Sequence, residues 1–171
     1  TNMTYMFQTA SVFNSPLNWG VKTGNVTNMQ RMFAEAPQFN KDIDGWDVSK
    51  VTNTNLMFYR ANSFNQSLNS WNVGNLIDPR QMFQECTSFN GDISSWVFTT
   101  DPAKNVNASS MFQNATAFNQ NISNWNTERF TSMASMFLNA TSFNQNIGSW
   151  NVANVTNMSN MFNNARVFAQ D

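Results

Sequence analysis

The stretch Asn157-Met158-Ser159-Asn160-Met161-Phe162-Asn163-Asn164-Ala165-Arg166-Val167-Phe168 decides the fold. Its apolar residues Met158, Met161, Phe162, Ala165 and Phe168 fall at i, i+3, i+4, i+7 and i+10. That is the spacing of one face of an amphipathic helix. Asn157, just ahead of them, is a preferred N-cap type. The spacing therefore predicts a helix of about ten residues, too short to persist in water without packing partners.

The same stretch recurs along the chain. Met-Phe stands at Met6-Phe7, Met32-Phe33, Met57-Phe58, Met82-Phe83, Met111-Phe112, Met136-Phe137 and Met161-Phe162. Trp recurs at 19, 46, 71, 96, 125 and 150, and Phe-Asn at 13-14, 39-40, 64-65, 89-90, 118-119 and 143-144. About seven units, most of them 25 residues long, tile residues 1–171 as a single repeat domain, expected to be part of a longer protein. Four residues before each repeated Met stands Asn2, Asn28, Asn53, Asp78, Asn107, Ser132 or Asn157, all N-cap types. Pro79 follows Asp78, where a first helical residue loses nothing by lacking an N–H.

Beyond each Phe-Asn lies an aliphatic column, Leu17, Ile43, Leu68, Ile93, Ile122 and Ile147, and then Trp. Val or another residue follows two places on, an alternation suited to a short strand. The expected architecture is an α/β leucine-rich-repeat-like solenoid with one short helix and one short parallel strand per repeat. Trp46, Trp71, Trp96, Trp125 and Trp150 then either build the core or form an outward aromatic ladder. Recurrence with Val two residues away favours the core. Asn40, Asn65, Asn90, Asn119 and Asn144 read as a structural ladder that satisfies backbone groups of adjacent coils.

Composition restricts the chemistry. The chain has no His, one Cys, nine Lys+Arg and ten Asp+Glu. Histidine catalysis, internal disulfides and cysteine-cluster zinc sites are excluded, and no basic footprint for nucleic acid exists. No apolar run approaches the roughly 18 residues of a membrane span. Cys86 falls in the Ala column of the repeat and reads as a small buried thiol. No cofactor is implied. Asp42, Asp44 and Asp47 form the one local acidic cluster, a weak calcium candidate. If the Trp column points inward, its neighbours point out. The candidate binding residues on that sheet face are Ser70, Asn72, Asn124, Asn126, Ser149 and Asn151. Two units carry insertions, around Lys22-Thr23-Gly24 and across Val97–Asn105, where solenoids often bind or simply tolerate drift. Nine Asn-x-Ser/Thr sequons occur, several of them on structural columns.

The stretch Phe143-Asn144-Gln145-Asn146-Ile147-Gly148-Ser149-Trp150-Asn151-Val152-Ala153-Asn154-Val155-Thr156-Asn157-Met158 resembles the BspA-like leucine-rich-repeat surface proteins. The resemblance covers the whole chain. It implies a leucine-rich-repeat-like solenoid, an extracellular or cell-surface setting, and adhesion or protein or glycan binding in place of catalysis. It carries no catalytic residues. The competing expectation is a structural subunit or spacer of an extracellular filament, appendage or virion, self-associating through the solenoid ends.

Overall fold

A computed structural model describes residues 1–170. The Met-Phe segments form no helix in it. Among the described residues the only regular elements are a 3₁₀ turn at Gly20–Thr23 and a parallel pair, β1 (Val106–Asn107) and β2 (Phe130–Ser132). The expected α/β leucine-rich-repeat-like solenoid, with a helix and a strand in every repeat, is therefore incorrect.

The second unit shows what replaces the helix. Met32, Ala34 and Ala36 donate to the carbonyls three residues back, Met29, Arg31 and Phe33, at 3.1–3.2 Å. The residues between them donate outward. Met29, Arg31, Phe33 and Glu35 reach the carbonyls of Asn53, Asn55, Met57 and Tyr59 in the next coil at 2.6–2.9 Å. The segment is thus a run of tight turns in which alternate N–H groups serve the coil itself and its neighbour.

Arg31 (φ 54°) and Glu35 (φ 57°) hold the third positions of two such turns, where a type II turn requires positive φ. The two equivalent positions are left-handed in all seven units, from Tyr5 and Thr9 to Asn160 and Asn164. A right-handed helix cannot contain such residues. Successive turns nevertheless return the chain to one side every three or four residues. Met29, Met32, Phe33, Ala36 and Phe39 are all buried, which reproduces the helical spacing without a helix.

The expected strand also gives way to turns. Trp46 donates to the Ile43 carbonyl at 3.1 Å and Val51 to that of Val48 at 2.9 Å. Parallel bridging falls instead on the column expected to cap helices. Asn2 pairs with Asn28, Asn28 with Asn53, Asn53 with Asp78, Asn107 with Ser132 and Ser132 with Asn157. The series breaks after Asp78. Met3, Met29 and Thr54 each send an N–H across at this level, and Pro79, their counterpart, has none to send.

The side chains in this column keep the capping chemistry in a different frame. Asn2, Asn28, Asn53, Asn107 and Asn157 each accept from the N–H two residues on at 2.8–3.0 Å. These are Asx turns.

Stacked rings fill the interior. Phe7, Phe33, Phe58, Phe83, Phe112, Phe137 and Phe162 form one ladder with centroids 5.4–5.7 Å apart. Phe13 through Phe168 form a second at 5.8–5.9 Å. Within each unit the two rings stack at 3.9–4.3 Å. Each aromatic pair adds about 0.5–1.5 kcal/mol beyond its burial, so the fold rests on side-chain stacking and inter-coil bonds more than on regular elements.

Candidate functional site

The residues that sequence singles out divide into those used inside the stack and those left on its surface. Trp46, Trp71, Trp96, Trp125 and Trp150 are buried. Their indole N–H groups donate to the carbonyls of Leu17, Ile43, Leu68, Ile93 and Ile122 in the preceding coil at 2.7–3.1 Å. Among the described residues no outward Trp ladder is formed. The Oδ1 atoms of Asn14, Asn40, Asn65, Asn90 and Asn119 accept from the backbone N–H of Asn40, Asn65, Asn90, Asn119 and Asn144 at 2.7–3.0 Å. The last rung runs from Ala169 N–H to Asn144 Oδ1 at 3.1 Å, and Ala169 has no side-chain acceptor to extend the ladder.

Cys86 is buried, with its thiol 2.9 Å from the Ala61 carbonyl. Burial pushes that thiol far above its ordinary range, so it is protonated and inert.

The acidic cluster does not converge. Asp42 accepts from Asp44 N–H at 2.9 Å, Asp47 from Ser49 N–H at 3.0 Å, and Asp44 from Ser70 N–H and hydroxyl at 2.9 and 2.7 Å. Hydrogen bonds from Ser49 hold the Asp47 carboxyl below its usual value. Among the described residues no group of three His, Cys, Asp or Glu is placed to hold a metal ion.

The proposed sheet face lies on turns. Ser70, Asn72, Asn124, Ser149 and Asn151 are exposed and Asn126 is half-buried. Most also serve the scaffold. Asn72, Asn126 and Asn151 close Asx turns onto Gly74, Glu128 and Ala153 at 3.0–3.1 Å. Ser149 donates to the Ser123 carbonyl at 2.9 Å.

The long insertion is pinned rather than loose. Arg129 donates to the carbonyls of Pro102 and Lys104 at 2.7 and 3.1 Å and to Asn105 Oδ1 at 3.2 Å. Lys104 reaches Asn75 Oδ1 at 2.7 Å.

Sequence reading missed one feature, an open concavity of about 280 Å³ between the first and second coils. Leu17, Ile43 and Trp46 line its apolar part, Asn18 and Asp42 its polar part, and Gly20 and Gly45 contribute backbone. The available signal is Gly45 itself. The residue before Trp is Ser70, Ser95, Asn124 or Ser149 in later units, and only here does it lack a side chain.

No helix is long and apolar enough to cross a membrane among the described residues. No curated protein and no solved structure matches the chain. One family model matches twice, at residues 1–96 and at 97–171. With every residue covered, the chain belongs to the repeat family described as Mycoplasma protein of unknown function, DUF285.

Proposed function

We propose that this chain is a non-catalytic binding module displayed outside the cell or on its surface, where it engages a protein or glycan partner. The observation that carries the reading is the strict register of the stack. Equivalent side chains repeat one coil apart on a backbone cross-linked by up to four inter-coil N–H bonds per junction along its Met-Phe segments. Such a scaffold presents polar groups at fixed spacing with little entropy left to lose on binding. The resemblance of its repeat to BspA-like surface proteins supports the setting. The test is binding of the purified chain to arrays of glycans and host matrix proteins. Saturable binding to a defined class is expected, and an array without hits sinks the reading.

A structural role is the second reading, favoured by the polarity of the stack. Met-Phe segments donate toward the following coil throughout. The outer face of the first coil therefore carries acceptors and that of the seventh carries donors, complementary in a head-to-tail sense. Sedimentation velocity over a concentration series tests it, and concentration-independent monomers count against self-association.

A further inference from the structure

We infer that Asn90–Gly91 is a deamidation site that the stack holds closed, and that its conversion to isoaspartate locks the fourth coil open. The site lies in the scaffold and is independent of any partner. Asn90 is the only Asn followed by Gly in the chain. A following glycine leaves an asparagine amide most open to attack, because no side chain shields the backbone nitrogen and the backbone turns freely. Two separate demands place the pair here. The ladder requires Asn at position 90, whose Oδ1 accepts from Asn119 N–H at 2.9 Å. A close approach requires Gly at 91, since a Cβ there would overlap the Gln66 carbonyl of the preceding coil. The same column carries Lys41, Gln66, Gln120 and Gln145 in other units, so the labile pair belongs to this coil alone.

The reaction needs only water as co-reactant. The Gly91 nitrogen bonds to Asn90 Cγ, the Cγ–Nδ2 bond breaks, and ammonia leaves carrying the Gly91 amide proton. Water then opens the cyclic imide. Attack at Cγ gives aspartate. Attack at the backbone carbonyl gives isoaspartate, whose main chain runs through the former side chain and is one carbon longer.

The native bonds fix the groups that must move. Asn90 N–H donates to Asn65 Oδ1 at 2.7 Å, and the Asn90 carbonyl accepts from Gln120 Nε2 at 2.7 Å. That carbonyl shares a peptide plane with the Gly91 nitrogen, so the nitrogen cannot swing toward Cγ while the bond holds. Asn119 N–H anchors the side chain at the same time, and Gly91 is buried. Ring closure therefore requires local opening of the fourth coil. Isoaspartate then disturbs both junctions of that coil. The longer backbone displaces Gly91 from the Gln66 carbonyl on one side and the acceptor from Asn119 N–H on the other, and close packing leaves no room for the extra atom. Plain aspartate keeps the chain length and an acceptor oxygen.

The experiment incubates the full chain at mildly alkaline pH, in native buffer and in urea, and follows each Asn by peptide mass spectrometry and isoaspartyl methyltransferase labelling. In urea Asn90 is expected to convert faster than every other Asn. In native buffer its conversion is expected to be about tenfold slower or more. Gln120→Ala should raise the native rate about threefold or more and leave the rate in urea unchanged. Amide exchange in that variant should quicken at Asn90 and Asn119 but not at Phe33, two coils away, which separates a local release from general destabilisation. Returned to native buffer, chains with isoaspartate at position 90 should unfold at a lower urea concentration than the parent, whereas Asn90→Asp should match the parent. Another Asn converting first in urea, equal rates in the two buffers, an unchanged native rate in Gln120→Ala or a uniform rise in its exchange each overturns the guarded site. Isoaspartate chains that recover the parent's midpoint overturn the lock.

Discussion

Asn119→Ala removes one rung of the asparagine ladder and tests whether that ladder stabilises the stack. Asn119 Oδ1 accepts from Asn144 N–H at 2.9 Å and from Gln145 Nε2 at 2.9 Å. Gln145 keeps a second acceptor, the Asn119 carbonyl at 3.0 Å, so its loss is small. The Asn144 N–H has no such alternative. Losing a hydrogen bond while stranding a buried donor costs about 1–3 kcal/mol. Asn144 is half-buried, which places the expected loss at about 1–2 kcal/mol. Asn119→Asp retains an acceptor oxygen and should stay within about 0.5 kcal/mol of the parent at neutral pH. Urea denaturation followed by Trp fluorescence measures both, with an unchanged m-value as the condition for comparison. Amide exchange at Asn144 should quicken in the Ala variant alone. Equal destabilisation by Ala and Asp, or none by Ala, would refute the idea that acceptor geometry holds the ladder.

Three further substitutions probe the backbone and the thiol. A Cβ on Gly91 would overlap the Gln66 carbonyl of the preceding coil, so Gly91→Ala should cost about 1–3 kcal/mol, and a melting temperature equal to the parent's would contradict that contact. Ser135 is left-handed at φ 54°; Ser135→Gly relieves that strain at an entropic cost and should stabilise by about 0.5–1 kcal/mol, with a lower urea midpoint as the opposing result. Cys86 should resist thiol reagents in the native state and react only on unfolding. Its folded pKa is raised by burial, so the unfolded chain loses the proton first. Stability should then fall as pH rises past the ordinary thiol value of about 8.5. Cys86→Ala, matching the Ala column, should lack that decline, and an identical pH profile in both proteins would argue against the assignment.

The period, the buried columns and the Asn rungs were readable because each rests on residue identity at a fixed spacing. Backbone conformation was not. Tight turns closing every three residues and an α-helix bury the same positions, so Met158, Met161, Phe162, Ala165 and Phe168 suit either. A signal against the helix was present in the polar positions. Asn114, Asn139, Asn160 and Asn164 occupy left-handed sites, and Asn tolerates that conformation better than most residues. Leu56, Arg31 and Tyr5 occupy equivalent sites with no such preference, which masked the pattern. The Asn at the head of each unit was equally ambiguous, since an Asx turn and a helix N-cap use the same acceptor on the same downstream N–H.

Uniform columns account for the stack, and for that reason they cannot account for selectivity. Three columns per coil close Asx turns: the bridge position, the residue before the aliphatic column and the residue after Trp. At the last of these, Asp47, Asn72, Asn126 and Asn151 bond the N–H two residues on, but the fourth unit has Val97, which cannot. Its side chain stands 63% exposed, and the chain after it makes its turns with Thr99 and Asp101 instead, at 3.1 and 2.9 Å. The lost turn and the inserted residues occur together, although Phe98 and Thr99 remain buried and the exposed part of the insertion begins only at Thr100. In the first unit Gly20 stands in the column after Trp, where it has no side chain to close an Asx turn, and an insertion follows it as well. A ligand contacting only the repeated columns would bind every junction equally; one that distinguishes this chain from a generic array must contact the first or the fourth unit.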